Sequence, residues 1–480
     1  MLTRRGKIMY KATIGIEVHS QIKTRSKMFC SCKVEFLSAP NTNICSICMG
    51  EPGVLPHINE KAIMLAIRAA LALNARINKK SIFARKNYYY PDLTKGYQIT
   101  QSIPLAENGY VVINTENGEK KINIHRIHVE EDTGKLFHTN DKVSLIDFNR
   151  SGVPLLEIVT DPVIKNEKEA ISYLKRLRQI IRYIDISDAD MEKGQFRCEP
   201  NISVSKDDRR GIKTEVKNLN SLKAVEKAIK YEIERQINIL EKGGKVIQQT
   251  MLWDEKEQVT KTMRSKEGIT EYRYFKEPDL IPLIITNEMI NEQKELIPEL
   301  PQSKFNRLMK EYNIGVNEAE ILIDNPHIAN YFEKSIEKGC GIKESLGWIT
   351  TDIMGILNKS EKKFSYLKIT PQHLSDLYKY IENKLINMNI AKSILHKIAF
   401  TGESVDKYIK SKNLIQITDT KSIEKIIDEV LEENPTEVKR YLEGNNKLFG
   451  FFVGQAMKKM GGKANPGIVN KLLKDILNRR

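Results

Sequence analysis

The sequence predicts an α+β front followed by an all-α remainder, and three observations carry this. From Tyr10 to about Pro282, short runs that alternate with period two mingle with turns and a few stretches of helical period. Beyond that point the spacing of Ile and Leu is almost wholly helical, in a background rich in Lys and Glu. No repeat or low-complexity tract interrupts the 480 residues, a length that suggests roughly three domains. The expected division is a mixed catalytic front over 1–290, a helical domain over 291–405 and a helical tail over 406–480.

The elements follow in chain order. Thr13 to Ile22 reads as a strand, with Ile14, Ile16, Val18 and Ile22 on one side and Gly15, Glu17, His19 and Gln21 on the other. Asn59 is placed to cap a helix through Ala62, Ile63, Ala66, Ile67, Ala70 and Leu73. The run FARKNYYYPDL reads as a Tyr-rich strand ending in a Pro91–Asp92 turn. GVPLLEIVTDP places Glu157 inside an apolar strand. Asn166 with Glu169 resembles a capping box, and Ile171, Leu174, Leu177, Ile181 and Ile184 form the stripe behind it. Ser221 opens a second amphipathic helix with Leu222, Val225, Ile229, Ile233, Ile237 and Leu240 inward, and Gly243–Gly244 stops it. NEMINEQKELIPELP marks the exit from the mixed region. Helices then fill about 303–400, a further change comes at Thr401–Ser404, and Gly461, Gly462 and Pro466 separate the last two helices.

Lys and Arg number 77 against 62 Asp and Glu, a net charge of +15, which points toward a polyanionic partner such as nucleic acid. No run approaches the ~20 apolar residues of a spanning helix, so no membrane role is expected. Arg4, Arg5 and Lys7 precede no apolar segment, and read as a short basic extension ahead of Met9 rather than a secretory signal. Four of the six cysteines lie in two pairs, Cys30-x-Cys32 and Cys45-x-x-Cys48. In a long chain without a signal peptide these read as a thiolate site in a reducing compartment, the cytoplasm, not as disulfides. Four sulfurs suit tetrahedral zinc, and a site with no open position is structural. Cys198 and Cys340 stand alone and are expected to be buried and inert.

Acidic and imidazole residues cluster on the strands of the front. Glu17 and His19 share a strand face, and HRIHVEEDTGKLFH gathers His125, His128, Glu130, Glu131 and Asp132. A carboxylate inside an apolar strand, as at Glu157, is costly to bury unless paired or metal-bound. Carboxylates with a histidine suit Mg²⁺ or Mn²⁺, although any one of them alone can simply be the wet face of a strand. Strict alternation puts Glu130 and Glu131 on opposite faces, so both reach one metal only if the strand bulges there. Arg85, Lys86 and Lys95 interleave with Tyr88, Tyr89, Tyr90 and Tyr97, a pattern able to hold phosphates and stack on bases. Further basic stretches lie at 213–230 and 263–280, and toward the C-terminus at Lys471, Lys474, Arg479 and Arg480. There is no P-loop, no dinucleotide fingerprint, no nucleophile elbow and no Ser–Ser–Lys amidase centre.

Taken together, GIEVHSQIKTRSKMFC, RKNYYYPDLTKGYQITQ, RIHVEEDTGKLFH, DFNRSGVPLLEIVTDP, DADMEKGQFRCEPNISV, MRSKEGITEYRYFKEPDLIPL and GFFVGQAMKKMGGKANPGIVNKLL are familiar. In this order, over nearly the whole chain, they resemble the B subunit of the glutamyl-tRNA(Gln)/aspartyl-tRNA(Asn) amidotransferase. The resemblance implies a cradle-like catalytic domain on a mainly antiparallel sheet, with helical and tail domains that grip tRNA. It implies ATP- and Mg²⁺-dependent phosphorylation of the side-chain carboxylate on a misacylated tRNA. Ammonia would come from a partner A subunit, the glutaminase, with a small C subunit tying the assembly together. The metal residues it implies fall on Glu17, His19, Glu130, Glu131 and Glu157. Lys86, Tyr88 and, more remotely, Arg150 are the matching candidates for contact with ATP or the tRNA end. The four cysteines imply a structural zinc. The competing expectation is a non-catalytic tRNA-binding and assembly subunit, against which the clustered acids argue.

Overall fold

The computed structural model describes residues 10–138, 143–207, 209–265, 272–415, 420–461, 464 and 466–479. Arg4, Arg5, Lys7, Met9 and Arg480 lie outside the described residues, as do parts of two basic stretches, at 266–271 and 462–463. The chain divides into two compact units between Lys304 and Phe305.

The strands of the first unit are β1 (Lys11–Gln21), β2 (Arg76–Ile77), β3 (Lys80–Asn87), β4 (Tyr97–Ile103), β5 (Ala106–Thr115), β6 (Gly118–Glu131), β7 (Lys135–His138), β8 (Ser144–Asp147), β9 (Pro154–Thr160), β10 (Phe196–Ser205), β11 (Thr214–Lys217), β12 (Gln249–Asp254), β13 (Val259–Ser265), β14 (Phe275–Lys276) and β15 (Leu283–Ile284). Nine of them form one sheet in the order β13-β12-β11-β10-β1-β9-β6-β5-β2. Its pairings among the described residues are antiparallel except β11–β12. A smaller sheet joins β3 with β4, β14 and β15, and β7–β8 is a separate hairpin.

One face of the large sheet is dry. Ile14, Ile16 and Val18 of β1 pack in a single core with residues of helices α2 (Glu60–Ala72), α3 (Glu167–Tyr183) and α4 (Leu222–Glu241); α1 (Ser46–Met49) is a single turn in the cysteine segment. Local chemistry sets these helices. Asn59 and Ser221 each accept a hydrogen bond from the backbone N–H three residues on, from Ala62 (3.1 Å) and Ala224 (3.0 Å). Asn166 does the same for Glu169, at 2.9 Å. The reciprocal half of that box is displaced: the Glu169 carboxylate accepts from Lys165 N at 2.9 Å and from Lys120 Nζ at 2.7 Å, because the lysine draws it one residue back. Gly243, at φ +75°, follows α4 in the left-handed conformation that ends a helix.

Two expectations are corrected here. Strand β3 stops at Asn87, before the tyrosines, because the Asn87 amide donates to the carbonyls of Tyr272 (3.3 Å) and Arg273 (2.7 Å) and turns the chain. Tyr88–Tyr90 therefore lie in a loop, and Tyr89 is fully exposed. The exit segment 287–301 is not simply a break; it contains helix α5 (Asn287–Glu295), capped by Thr286. Beyond Phe305 the second unit is helical and holds two separate hydrophobic cores. Phe332, Trp348, Leu374 and Ile394 belong to one, and Ile423, Ile427, Phe452 and Leu473 to the other. Cys198 and Cys340 are both buried. No helix among the described residues is long and apolar enough to cross a membrane.

Candidate active site

Register builds the site. His19 of β1 stands opposite Arg197 of β10 on one side and Glu157 of β9 on the other, and Glu157 stands opposite His128 of β6. Directly opposed residues share a face, so these four form a row across four strands on the side of the sheet away from the helices. Glu17, two residues before His19, opposes Glu199. His19 Nε2 lies 3.5 Å from the Glu17 carboxylate and 3.9 Å from Glu130, and His128 Nδ1 lies 3.0 Å from Glu157 Oε2. Two ligand triads result, Glu17–His19–Glu157 and His128–Glu130–Glu157, with donor atoms within 4.8 Å of one another in each. Glu157 belongs to both, and its Oε2 makes no well-aligned hydrogen bond despite full burial. Hard oxygen donors with an imidazole, one of them unsatisfied, fit a divalent cation of the Mg²⁺ or Mn²⁺ kind.

The charges around the triads are sharply divided. Burial pushes the Glu17 carboxyl up to about 7; His19 opposes this, and Glu157 and Glu199 add to it. Burial also works against ionised Glu157, yet the facing His128 imidazole, with His19 and Arg126, holds it down to about 2. Glu130 is pinned from β4 by Thr100 Oγ1 and by Gln98 Nε2 at 3.2 Å. Lys86 faces the cluster from β3. Its burial disfavours the charge, but Glu130, the Tyr274 and Tyr272 phenols and Glu17 outweigh that and hold the ammonium protonated well above the usual lysine range. Its Nζ sits 5.0 Å from the centre of the Tyr272 ring and 6.0 Å from that of Tyr88. Burial likewise raises the Tyr88 phenol.

The fold gathers four of the five expected metal residues and leaves Glu131 apart. The irregularity in β6 falls between Ile124 and Arg126, so Glu130 and Glu131 keep opposite faces. The Glu131 carboxylate accepts from Ile99 N at 3.0 Å and pairs with Lys95 at 2.6 Å. Arg150 is also apart: it donates to the carbonyls of Thr133 (2.9 Å) and Gly134 (2.6 Å) and lies 3.8 Å from Asp132. Asp132, gripped by both guanidinium nitrogens of Arg197 at 2.9 Å, is held far below the ordinary range: burial opposes the charge, and Arg197 and Arg150 overcome it.

Cys30, Cys32, Cys45 and Cys48 converge with sulfurs within 4.8 Å of one another. The turn of α1 aims the second pair, with Cys45 N–H donating to Cys48 Sγ at 3.2 Å. Lys27, fully buried, directs its ammonium at Cys48 Sγ from 3.5 Å. Cys48 is held down to about 4, first by the Cys30 thiol donating to it, then by the Cys45 N–H and Lys27, against the effect of burial; Cys30 is pushed up in turn. Four converging sulfurs fit a tetrahedral structural metal. Thr94 Oγ1 donates to Cys48 O at 2.8 Å, and a Cβ on Gly50 would meet Lys95 Cγ at 2.4 Å, so the cysteine segment packs directly on the Lys95–Glu131 pair.

Two clefts open along β1 on either side of the carboxylate row. One, of about 610 Å³, includes Gln21, Arg150, Lys193 and Arg197. The other, of about 340 Å³, includes Gly15, Glu17, Arg126, Arg210 and Lys213.

Residues 12–291 match the family model described as the GatB/GatE catalytic domain, and 330–477 match the GatB domain. The chain belongs to the GatB family. Relatives include the B subunit of the aspartyl/glutamyl-tRNA(Asn/Gln) amidotransferase of Persephonella marina, 47% identical over 98% of this chain and 99% of that protein. The proteins of the same name from Thermodesulfovibrio yellowstonii and Moorella thermoacetica are each 45% identical, over 98% of this chain and all of theirs. Every side chain of the carboxylate row falls within the stretch matched as the GatB/GatE catalytic domain.

Residue-by-residue reading did not single out several side chains that the fold of this GatB-family chain places in or beside the row. His128 was visible in its motif but not distinguishable from His125, which instead stands exposed, 3.5 Å from Asp161. Glu199 and Arg197 carried a signal in the alternation of FRCEPNIS, where Phe196, Cys198 and Ile202 turn inward. Lys217, 2.7 Å from Glu199, gave none.

Proposed function

We propose that this chain is the catalytic B subunit of a tRNA-dependent amidotransferase, acting on glutamate or aspartate carried by a misacylated tRNA. The observation that supports this best is the half-buried to buried Glu17–His19–Glu157–His128–Glu130 group on a sheet of the family's catalytic domain, since binding RNA requires no clustered acids. A side-chain carboxylate is a poor acyl donor. Its oxygen attacks the γ-phosphorus of ATP, the β–γ bridging bond breaks, and ADP leaves. Ammonia then attacks the acyl carbon, inorganic phosphate departs, and a proton is lost to give the amide.

Transfer between two anions needs neutralisation and alignment. A bound Mg²⁺ would supply the first, with Glu17, His19, Glu130 and Glu157 as the holding residues and His128 orienting Glu157. Lys86, fixed in its protonated form, adds a cation beside the reacting group, and Tyr88 buttresses it. Arg126, Arg210 and Lys213 around the smaller cleft are suited to the ATP phosphates. The cysteine quartet would hold zinc and stiffen its segment. Partner A and C subunits supply ammonia and assembly, consistent with the lack of an amidase centre in this chain, and the thiol set fits the reducing cytoplasm. The second unit and its tail, 406–480, would grip the tRNA body.

The test uses the chain assembled with its A and C subunits, with ammonium replacing glutamine. Phosphate release from ATP should require glutamyl-tRNA(Gln) or aspartyl-tRNA(Asn) and should vanish in Glu17→Gln. Release that is indifferent to misacylated tRNA would sink the proposal.

A further inference from the structure

The segment 272–277 reads in the sequence only as more basic surface, yet the fold lays it along β3 beside the carboxylate row. Phe275 and Lys276 pair with Arg85 and Ala84. Glu277 N–H donates to Phe83 O at 2.9 Å, and the Arg85 guanidinium grips the Glu277 carboxylate through Nε and Nη2, both at 2.8 Å. At the other end Asn87 N–H donates to Tyr272 O at 2.9 Å, and the Asn87 amide spans the carbonyls of Tyr272 and Arg273. Arg273 takes φ +42°, a left-handed conformation that a non-glycine residue rarely adopts, and those bonds hold it there.

The clamped segment presents its rings to Lys86. Tyr272 stands in the middle of three tyrosines. It meets Tyr88 edge-on, with ring centres 6.0 Å apart and planes at 74°, and Tyr274 at 5.9 Å and 68°. Of the two rings that lie under the Lys86 ammonium, Tyr272 is the nearer, at 5.0 Å against 6.0 Å for Tyr88. Two other half-buried lysines near the site are held differently: Lys95 pairs with Glu131 at 2.6 Å and Lys217 with Glu199 at 2.7 Å. Among the described residues Lys86 pairs with neither Glu17 nor Glu130. Glu17 faces His19 instead, and Glu130 accepts from Thr100 and Gln98. The distinction matters chemically. A carboxylate partner neutralises an ammonium, whereas a ring face orients it through a quadrupole and leaves its net charge whole.

We infer that Tyr272 is a positioning residue for the phosphoryl transfer: its ring face holds the Lys86 ammonium toward the carboxylate row without neutralising it, leaving the full charge for the phosphoryl group in transit. Tyr88 and Tyr274 brace that ring from either side, and the Asn87 amide fixes the backbone that carries it. This rests on the reading of the row as the phosphorylation centre, and it adds to that reading a residue on a segment remote in sequence from all of its acids.

The experiment uses the chain assembled with its A and C subunits and supplied with ammonium. Wild type, Tyr272→Phe and Tyr272→Leu are compared, each also in a Lys86→Met background. Tyr272→Leu should lower kcat for phosphate release by about three- to thirtyfold with the KM for misacylated tRNA within about twofold, whereas Tyr272→Phe, which keeps the ring face, should stay close to wild type. In the Lys86→Met background Tyr272→Leu should bring no further loss, because the ring acts through the ammonium. Fluorinated phenylalanines at position 272 withdraw electron density from the ring face and keep its bulk, so kcat should fall stepwise with each fluorine; this series reads the same contact should Tyr272→Leu fail to fold. An equal loss in both backgrounds, a rate indifferent to fluorination, or a wild-type kcat in Tyr272→Leu overturns the inference. Absence of tRNA-stimulated phosphate release in wild type is a separate failure, that of the underlying function, and takes this inference with it.

Discussion

The two ligand clusters of the front unit are built in opposite ways. The cysteine quartet is local: four sulfurs within nineteen residues, brought together by one loop and one helical turn. The carboxylate–histidine group is assembled from β1, β6 and β9, with β1 more than a hundred positions from the other two, and its residues meet only through sheet register. A chelate of the first kind stabilises a segment that could not otherwise order itself. One of the second kind is positioned by a core that already exists, and so is free to serve chemistry.

Four measurements break or sharpen that contrast. The largest effect is expected for Glu157→Gln, which removes the carboxylate shared by both triads. Phosphate release stimulated by misacylated tRNA should fall by at least about a thousandfold, with the melting temperature little changed. If activity survives within tenfold, the row is not the reaction centre. Next, Cys45→Ser/Cys48→Ser should remove bound zinc, as read by elemental analysis, and lower the melting temperature by roughly 5–10 °C. An unaltered melting curve would take away the structural role.

Third, the metal-stripped chain should become less stable as pH rises from about 4.5 to about 7. With its folded pKa raised to about 7, Glu17 keeps a proton that the unfolded chain releases, so the folded state binds more protons across that window. The loss amounts to up to roughly 3 kcal/mol. Glu17→Gln should flatten this slope in chemical denaturation at a series of pH values. Asp132 acts in the other direction. Its lowered pKa means that the stability it contributes is present above the ordinary carboxylate range and is lost as pH falls below it. The smallest effect is expected for Glu131→Gln, which should change the affinity for Mn²⁺, measured by titration calorimetry, by less than about twofold. A change as large as that of Glu157→Gln would return Glu131 to the metal site.

This contrast also explains what was legible in the sequence. The convergence of the four cysteines could be read from spacing alone, because a short loop leaves its geometry in the numbering. The helices α2, α3 and α4 were legible for a similar reason: caps and stripes are local. For the carboxylate group, alternation correctly separated Glu130 from Glu131, and Glu157 announced itself as an acid in an apolar strand. Which strand each faces is a matter of register, and register is set by distant partners. Hence His128 and Glu199 went unrecognised, and Arg150 lies with Asp132 instead. The end of β3 was missed because a single Asn87 amide, bonded to residues far along the chain, decides it.

The central place of β1 has a consequence for how the molecule is made. Lys11–Gln21 leaves the ribosome well before its two neighbours in the sheet, residues 154–160 and 196–205. At about 5–20 residues per second, the nascent strand waits on the order of ten seconds or more with both edges unpaired. An apolar, β-prone segment in that condition is a target for chaperones and for neighbouring nascent chains. Glu17 and His19 are therefore carried on a strand that must wait for both of its partners before it can take its place in the sheet.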